Sequence, residues 1–243
     1  MLTLEQITWG APGGERVLKG VDLSIPDGKL IVVTGPNGGG KTTIAKLIAG
    51  LEKPDSGRIL LDGEDITGLD ITGRARRGIS YAFQQPVRFK GVTVRDLVEL
   101  AAGGSLSEDK LCEILSRVGL CAREYVDREV NGSLSGGEIK RIEIATVLAR
   151  HTRISIFDEP EAGIDLWSFS NLISVFQEMR ESLDGTLIII SHQERILSIA
   201  DELVVIADGL VQERGPRDKI LPKLLGGEER CGHCPNLEEG TAS

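Results

Sequence analysis

Apolar residues follow two different periods along this chain. Short β-branched runs, Leu30-Ile31-Val32-Val33, Ile154-Ser155-Ile156-Phe157 and Thr186-Leu187-Ile188-Ile189-Ile190, have the continuous apolar character of strands covered on both faces. Leu2 to Thr8 and Val17 to Ile25 instead alternate apolar with polar residues. That pattern predicts half-buried antiparallel strands joined through the turn Gly10-Ala11-Pro12-Gly13-Gly14. Gly57 to Leu61 and Ile79 to Phe83 predict further strands. Val204-Val205-Ile206 and Leu210-Val211 predict closing strands around Asp208-Gly209, with a short helix following to Leu225. Helical spacing governs Thr43 to Ala49, which stops at Gly50, and Ile139 to Arg150. It also governs Val94 to about Arg128, where Leu97, Leu100, Leu111, Ile114, Leu115 and Val118 recur between breaks at Gly103-Gly104 and Gly119. Strands alternating with helices predict an α/β fold with an antiparallel β subdomain in front and a helical subdomain, approximately residues 86–150, inserted in the core. Residues 226–243 are polar, glycine-rich and acidic, and predict a tail.

Between the first buried strand and its helix lies Gly35-Pro36-Asn37-Gly38-Gly39-Gly40-Lys41-Thr42, followed by Thr43, which fits the phosphate-loop pattern at every fixed position. Glycines let successive backbone N–H groups turn inward around phosphate oxygens, at a helix end whose dipole already favours anions. Lys41 would reach the β- and γ-phosphates and the Thr42 hydroxyl would ligate Mg²⁺. The loop therefore predicts binding of a nucleoside triphosphate, in a P-loop NTPase core. Leu134-Ser135-Gly136-Gly137-Glu138 supplies a second anion-receptive helix end: Ser135 and Glu138 have capping-box spacing, and Gly136 and Gly137 leave the first-turn N–H groups bare.

Two other strand ends carry chemistry. Asp158-Glu159-Pro160 follows the Ile154 run, at the edge where ligands bind in an open parallel sheet. One carboxylate there can hold Mg²⁺, and its neighbour, pointing the other way, can orient an attacking water. Ser191-His192 follows the Thr186 run on the same edge, a placement that His151 lacks. The Ile79 strand runs into Gln84-Gln85-Pro86, where proline forces a change of direction and a glutamine can reach the metal or its water. Trp9 ends the first strand, where an aromatic either stacks on an adenine ring or packs as an ordinary edge residue. Arg74, Arg76 and Arg77 form a small basic cluster read as a solvated face.

Charge narrows the partners. The 243 residues hold 28 Lys and Arg against 37 Asp and Glu, a net charge of −9, which argues against DNA or RNA as a partner. No apolar run approaches the roughly 20 residues of a membrane span, and Met1-Leu2-Thr3-Leu4-Glu5 lacks signal-peptide character, so direct membrane insertion is not expected and a cytoplasmic location is. Four cysteines, Cys112, Cys121, Cys231 and Cys234, are too scattered for a disulfide framework. Cys231-Gly232-His233-Cys234 offers three soft ligands where a closed zinc site takes four. Zinc or an iron–sulfur cluster there would need help from a second chain or from Cys112 and Cys121.

In this order, Gly35 to Thr42, Gln84, Leu134 to Glu138, Asp158-Glu159, Ala162-Gly163-Ile164-Asp165 and His192 resemble the ATP-binding cassette (ABC) ATPases over about residues 1–225. The resemblance implies a head-to-tail homodimer with two ATP molecules sandwiched between the phosphate loop of one copy and the Ser-Gly-Gly helix end of the other. It implies that Thr42, Gln84 and Asp158 surround Mg²⁺, Glu159 polarises the water and His192 contacts the γ-phosphate. Asp165 would lie at the dimer seam, Ser135 with Gly137 would complete the partner's site, and Trp9 takes the place of the adenine-stacking aromatic. Gly39 departs from the serine of many members, which implies a more flexible loop with one hydroxyl contact fewer. Ala82 to Val87, Gly137 to Arg141 and Ser191 to Leu197 look like the Suf-type iron–sulfur assembly ATPases (SufC), implying a soluble SufB/SufD-like scaffold as partner. The rival expectation is the nucleotide-binding subunit of a membrane transporter, with a membrane subunit as partner.

Overall fold

A computed structural model describes residues 1–11, 13–83, 89–182 and 185–226, with the side chains of 166–168 and 182 excepted. Gln84, Cys231, His233 and Cys234 lie outside the described residues. β1 (Leu2–Gly10) and β2 (Arg16–Ile25) pair antiparallel as a hairpin, in the register Leu2 to Ile25 and Trp9 to Leu18. β3 (Leu30–Thr34) leads into α1 (Lys41–Ala49); β4 (Ser56–Leu61), β5 (Glu64–Asp65) and α2 (Ile71–Arg76) follow. β6 (Ile79–Ala82) precedes α3 (Val94–Ala102), α4 (Glu108–Arg117), α5 (Ala122–Tyr125) and α6 (Gly136–Arg150). The chain then returns as β7 (Ile154–Asp158), α7 (Leu166–Ser182), β8 (Thr186–Ile190), α8 (Glu194–Leu197), β9 (Glu202–Ala207), β10 (Leu210–Pro216) and α9 (Arg217–Gly226).

Two sheets result, in the orders β2-β1-β4-β5 and β10-β9-β3-β8-β7-β6. The second is parallel except for β10 at its edge, and β6 and β7 pair directly although the helices α3 to α6 lie between them in sequence. β3, β7 and β8 are buried along their whole length, with alternate residues on opposite faces. Leu30, Val32, Leu187 and Ile189 face the helices α3 to α7, whereas Ile31, Val33, Ile188 and Ile190 face α1 and the antiparallel sheet. β3 lies between β9 and β8, so the phosphate loop leaves the middle of the sheet. The C-terminal ends of β6, β7 and β8 lie to one side of it.

Three expectations change. α6 starts at Gly136 rather than Ile139, because Ser135 and Glu138 close a reciprocal capping box that carries the glycines into the first turn. Leu100 is exposed: α3 buries Val94 and Val98, and Leu100 falls off that face. Arg74 is no part of a solvated face. It is fully buried, donating from Nη1 to the carbonyls of Leu47 and Ile48 at 2.9 and 2.8 Å, and it fills the space beside Gly50 at the end of α1.

Candidate functional site

Gly35 to Gly40 is a loop that only glycine can close. Gly35, Gly38 and Gly40 hold φ of 133°, 78° and 103°, the left-handed region closed to most side chains. A Cβ on Gly35 would lie 2.0 Å from the Ile206 carbonyl oxygen. Gly39 is likewise pressed against β9: its Cβ would meet the same oxygen at 2.8 Å and that of Pro36 at 3.1 Å. Gly39 thus sits at a close backbone approach to β9. The Lys41 ammonium, almost wholly buried, donates to the Gly35 and Pro36 carbonyls at 2.8 Å each. Burial lowers its pKa, and the charges of Glu159 and Asp158 act against that shift.

Two clefts flank the loop. One of about 300 Å³ is lined by Val17, Asn37, Gly38, Lys41, Thr43 and Glu159, with Thr42 at its wall. Its neighbour, of about 290 Å³, is lined by Pro36, Asn37, Gly39, Lys19 and Asp208. Glu15 and Val17 line both, so the β1–β2 hairpin forms a wall of the site.

Asp158 ends β7 with its carboxylate fully buried, and each oxygen is held by a different hydroxyl. Thr42 Oγ1 donates to Oδ1 at 3.1 Å and Tyr81 Oη to Oδ2 at 2.7 Å. These are hard oxygen donors of the type that binds Mg²⁺. Glu159 next to it leaves the strand with φ of 44°, which turns its side chain into the first cleft. Ser191, also buried, donates to Glu161 Oε1 and accepts from the Gln193 amide at 3.0 Å, so the 159–161 turn and the chain carrying His192 are tied together. Burial raises the Glu161 pKa above the ordinary carboxyl value. His192 is exposed.

The second helix end is built as its spacing predicts. The Ser135 hydroxyl accepts from the Glu138 amide at 3.2 Å, and Glu138 Oε2 accepts from the Ser135 amide at 2.7 Å. Hydrogen bonds from Tyr125 and Ser135 hold the Glu138 carboxyl down at about 2. Gly136 faces the Gly163 carbonyl, at 3.8 Å from the position its Cβ would take, which places Ala162-Gly163-Ile164-Asp165 beside it. None of Ser135, Gly136, Gly137 and Glu138 lines either cleft at the phosphate loop.

A family model described as ABC transporter matches residues 18–162. The chain belongs to the ATP-binding cassette family. It is 37% identical to the uncharacterized ABC transporter ATP-binding protein MJ0035 of Methanocaldococcus jannaschii, over 91% of this chain and 90% of that protein. It is 32% identical to the lipopolysaccharide export system ATP-binding protein LptB of Escherichia coli K12, over 86% of this chain and 88% of LptB. Among solved structures it is similar to the ATP-binding cassette MJ0796 in a dimeric post-hydrolysis state bound to ADP and Pi. That match has a TM-score of 0.79 and 26% identity, and covers 89% of this chain and 99% of the other. The cassette is an ATPase.

Of the cassette's sequence-predicted residues, the structure brings Pro36, Asn37, Lys41, Thr42, Thr43, Asp158 and Glu159 together. Trp9 packs against the core between the antiparallel sheet and α1, and it is absent from the lining of both clefts. Asp165 lies at the start of α7, where its carbonyl accepts from the Phe169 amide at 2.9 Å. Tyr81 and Glu161 escaped sequence reasoning. The signal for Tyr81 is its register: it pairs with Ile156, two residues before Asp158 and therefore on the same face of the sheet. No comparable signal marks Glu161, because its burial depends on how the turn after β7 folds over Ser191.

Proposed function

We propose that this chain is the ATP-hydrolysing subunit of an ABC transporter, working as a head-to-tail homodimer against a membrane subunit. The observation that carries the dimer is the separation of two anion-receptive helix ends. The phosphate loop opens on its own clefts, whereas Ser135 to Glu138 line neither and are free to complete the site of a second copy. The similar MJ0796 cassette is dimeric, and the transporter partner follows from relatives named as transporter ATP-binding proteins over most of this chain. None of the relatives described above is a Suf protein, so the transporter displaces the SufB/SufD-like scaffold as first choice.

In this mechanism the loop amides and Lys41 bind the β- and γ-phosphates, and Trp9, outside both clefts, stacks on an adenine that extends beyond them. Thr42, Asp158 and Gln84 would hold Mg²⁺, which would supply positive charge to neutralise the phosphate oxygens. Glu159 accepts the proton of the attacking water, His192 contacts the γ-phosphate and Asp165 meets the dimer seam. A cleft of about 180 Å³ beside β6, lined by Phe83, Phe89, Leu97, Ile139 and Ile142, offers apolar surface to a partner, with Phe83 and Phe89 exposed at its mouth. No helix among the described residues is long and apolar enough to cross a membrane.

The test is to tag a Glu159→Gln variant, hold it in ATP and Mg²⁺, and identify stoichiometric partners by mass spectrometry from native cytosol and detergent extract. An integral-membrane partner supports the transporter. A soluble scaffold in its place overturns it in favour of the Suf-type role.

A further inference from the structure

Among the described residues Asp158 is the one acidic side chain that is buried outright, and burying a carboxylate is tolerated only where hydrogen bonds replace its water. Two hydroxyls do so. Thr42 belongs to the phosphate loop, and its hydroxyl oxygen can ligate a metal while its proton stays directed at Asp158 Oδ1. Tyr81 is the side-chain donor from outside the loop, at 2.7 Å from Oδ2.

The phenol is held on several sides. Its ring meets Phe83 edge-on, with centroids 5.0 Å apart and planes at 84°. Phe83 is gripped through its backbone by α6: its amide donates to Glu143 Oε1 at 2.7 Å and its carbonyl accepts from Lys140 Nζ. Lys140 is buried and ion-paired to Glu143 at 2.9 Å, so the grip is part of α6, the helix that Ser135 caps. The strand end carrying Tyr81 is therefore tied to α6.

We propose that Tyr81 is a positioning residue for ATP hydrolysis, whose hydroxyl fixes the Asp158 carboxylate for the metal ion through a ring anchored to α6. This rests on the proposed assignment of Thr42 and Asp158 to Mg²⁺. Groups that orient a metal ligand typically change metal affinity 10- to 100-fold when removed.

Tyr81→Phe keeps the stacked ring and removes only the hydroxyl. In the full-length protein, fluorescent ATP analogue binding is titrated with Mg²⁺ and with EDTA, alongside the Mg²⁺ dependence of phosphate release and the melting temperature. The Mg²⁺ concentration for half-maximal hydrolysis rises about tenfold. The gain in nucleotide affinity on adding Mg²⁺ shrinks by a similar factor, and affinity in EDTA stays as in the wild type. A lowered melting temperature with unchanged Mg²⁺ dependence would make Tyr81 merely structural and overturn the proposal. So would an equal loss of affinity in EDTA, which would place its effect on the loop. Asp158→Asn separates the two levels: if it too leaves Mg²⁺ dependence untouched, the metal assignment itself fails.

Discussion

The backbone amide of Glu159 donates to the carbonyl of Ile190 at 3.0 Å while Glu159 itself holds a left-handed φ of 44°. A non-glycine residue in that region costs about 1–2 kcal/mol, and a pairing to the neighbouring strand is what sustains it. The strain turns Glu159 off the pleat that Asp158 follows, so that consecutive carboxylates serve different places: Asp158 in the buried hydroxyl pair, Glu159 at the cleft beside Lys41. Glu159→Gln keeps shape and removes the base. Phosphate release should fall about 10²–10⁴-fold with ATP binding retained and a dimer accumulating in ATP, read by phosphate assay and light scattering. Hydrolysis at the wild-type rate would end the water-polarising role.

Lys41 makes a separate prediction because it acts on binding. Its ammonium donates to loop carbonyls in the same cleft and feels the charges of Glu159 and Asp158. Lys41→Ala should weaken ATP binding by at least about tenfold, beyond any effect on turnover of bound ATP. Equilibrium titration checks it, and unchanged affinity would dismiss the phosphate-loop assignment.

Glu161 gives a pH dependence. Desolvation raises its pKa, partly offset by the Ser191 hydroxyl and the charge of His192, while the charge of Glu159 adds to the rise. Its second oxygen, Oε2, is buried without a hydrogen-bond partner. The folded state therefore holds the proton more tightly than the unfolded chain, whose Glu titrates near 4.3. Its stabilising share is fully present below that value and is lost as pH rises through the folded pKa. Glu161→Gln stays neutral throughout. The melting temperature of the variant relative to wild type should climb between pH 4 and pH 8, and parallel pH profiles would show that Glu161 does not titrate in this way.

What was legible in the sequence was what local chemistry dictates. The phosphate loop, the capping box at Ser135 and the three continuous apolar strands stand where their spacing puts them, because glycine conformation, capping and double-sided burial are each decided within a few residues. Tyr81, Glu161 and the Lys140–Glu143 pair were not legible, since their partners arrive from strands and helices far along the chain. Membership of the cassette family was also legible, because its motifs are local. The choice between scaffold and transporter was not: it turns on a partner surface, and the aromatic cleft beside β6 forms only when α3 and α6 fold against Tyr81.

Arg74 shows the same limit in a residue that composition misplaced and that positions the site from behind. Its guanidinium donates to the Leu47 and Ile48 carbonyls at the C-terminal end of α1, the helix whose first residue is Lys41, and there a cation also meets the negative end of the helix dipole. Burial lowers its pKa to about 10, so it remains charged at neutral pH. Arg74→Met removes the charge-assisted bonds to the Leu47, Ile48 and Thr67 carbonyls, of which Leu47 keeps the Gly50 amide as a donor. Unfolding free energy should drop by roughly 3 kcal/mol in a denaturant titration. Arg74→Lys should recover little of it, because one ammonium cannot hold the Leu47 and Ile48 carbonyls and also the Thr67 carbonyl that the second guanidinium nitrogen reaches at 3.4 Å. Full recovery by lysine would mean that charge alone, and not the guanidinium geometry, secures the far end of the phosphate-loop helix.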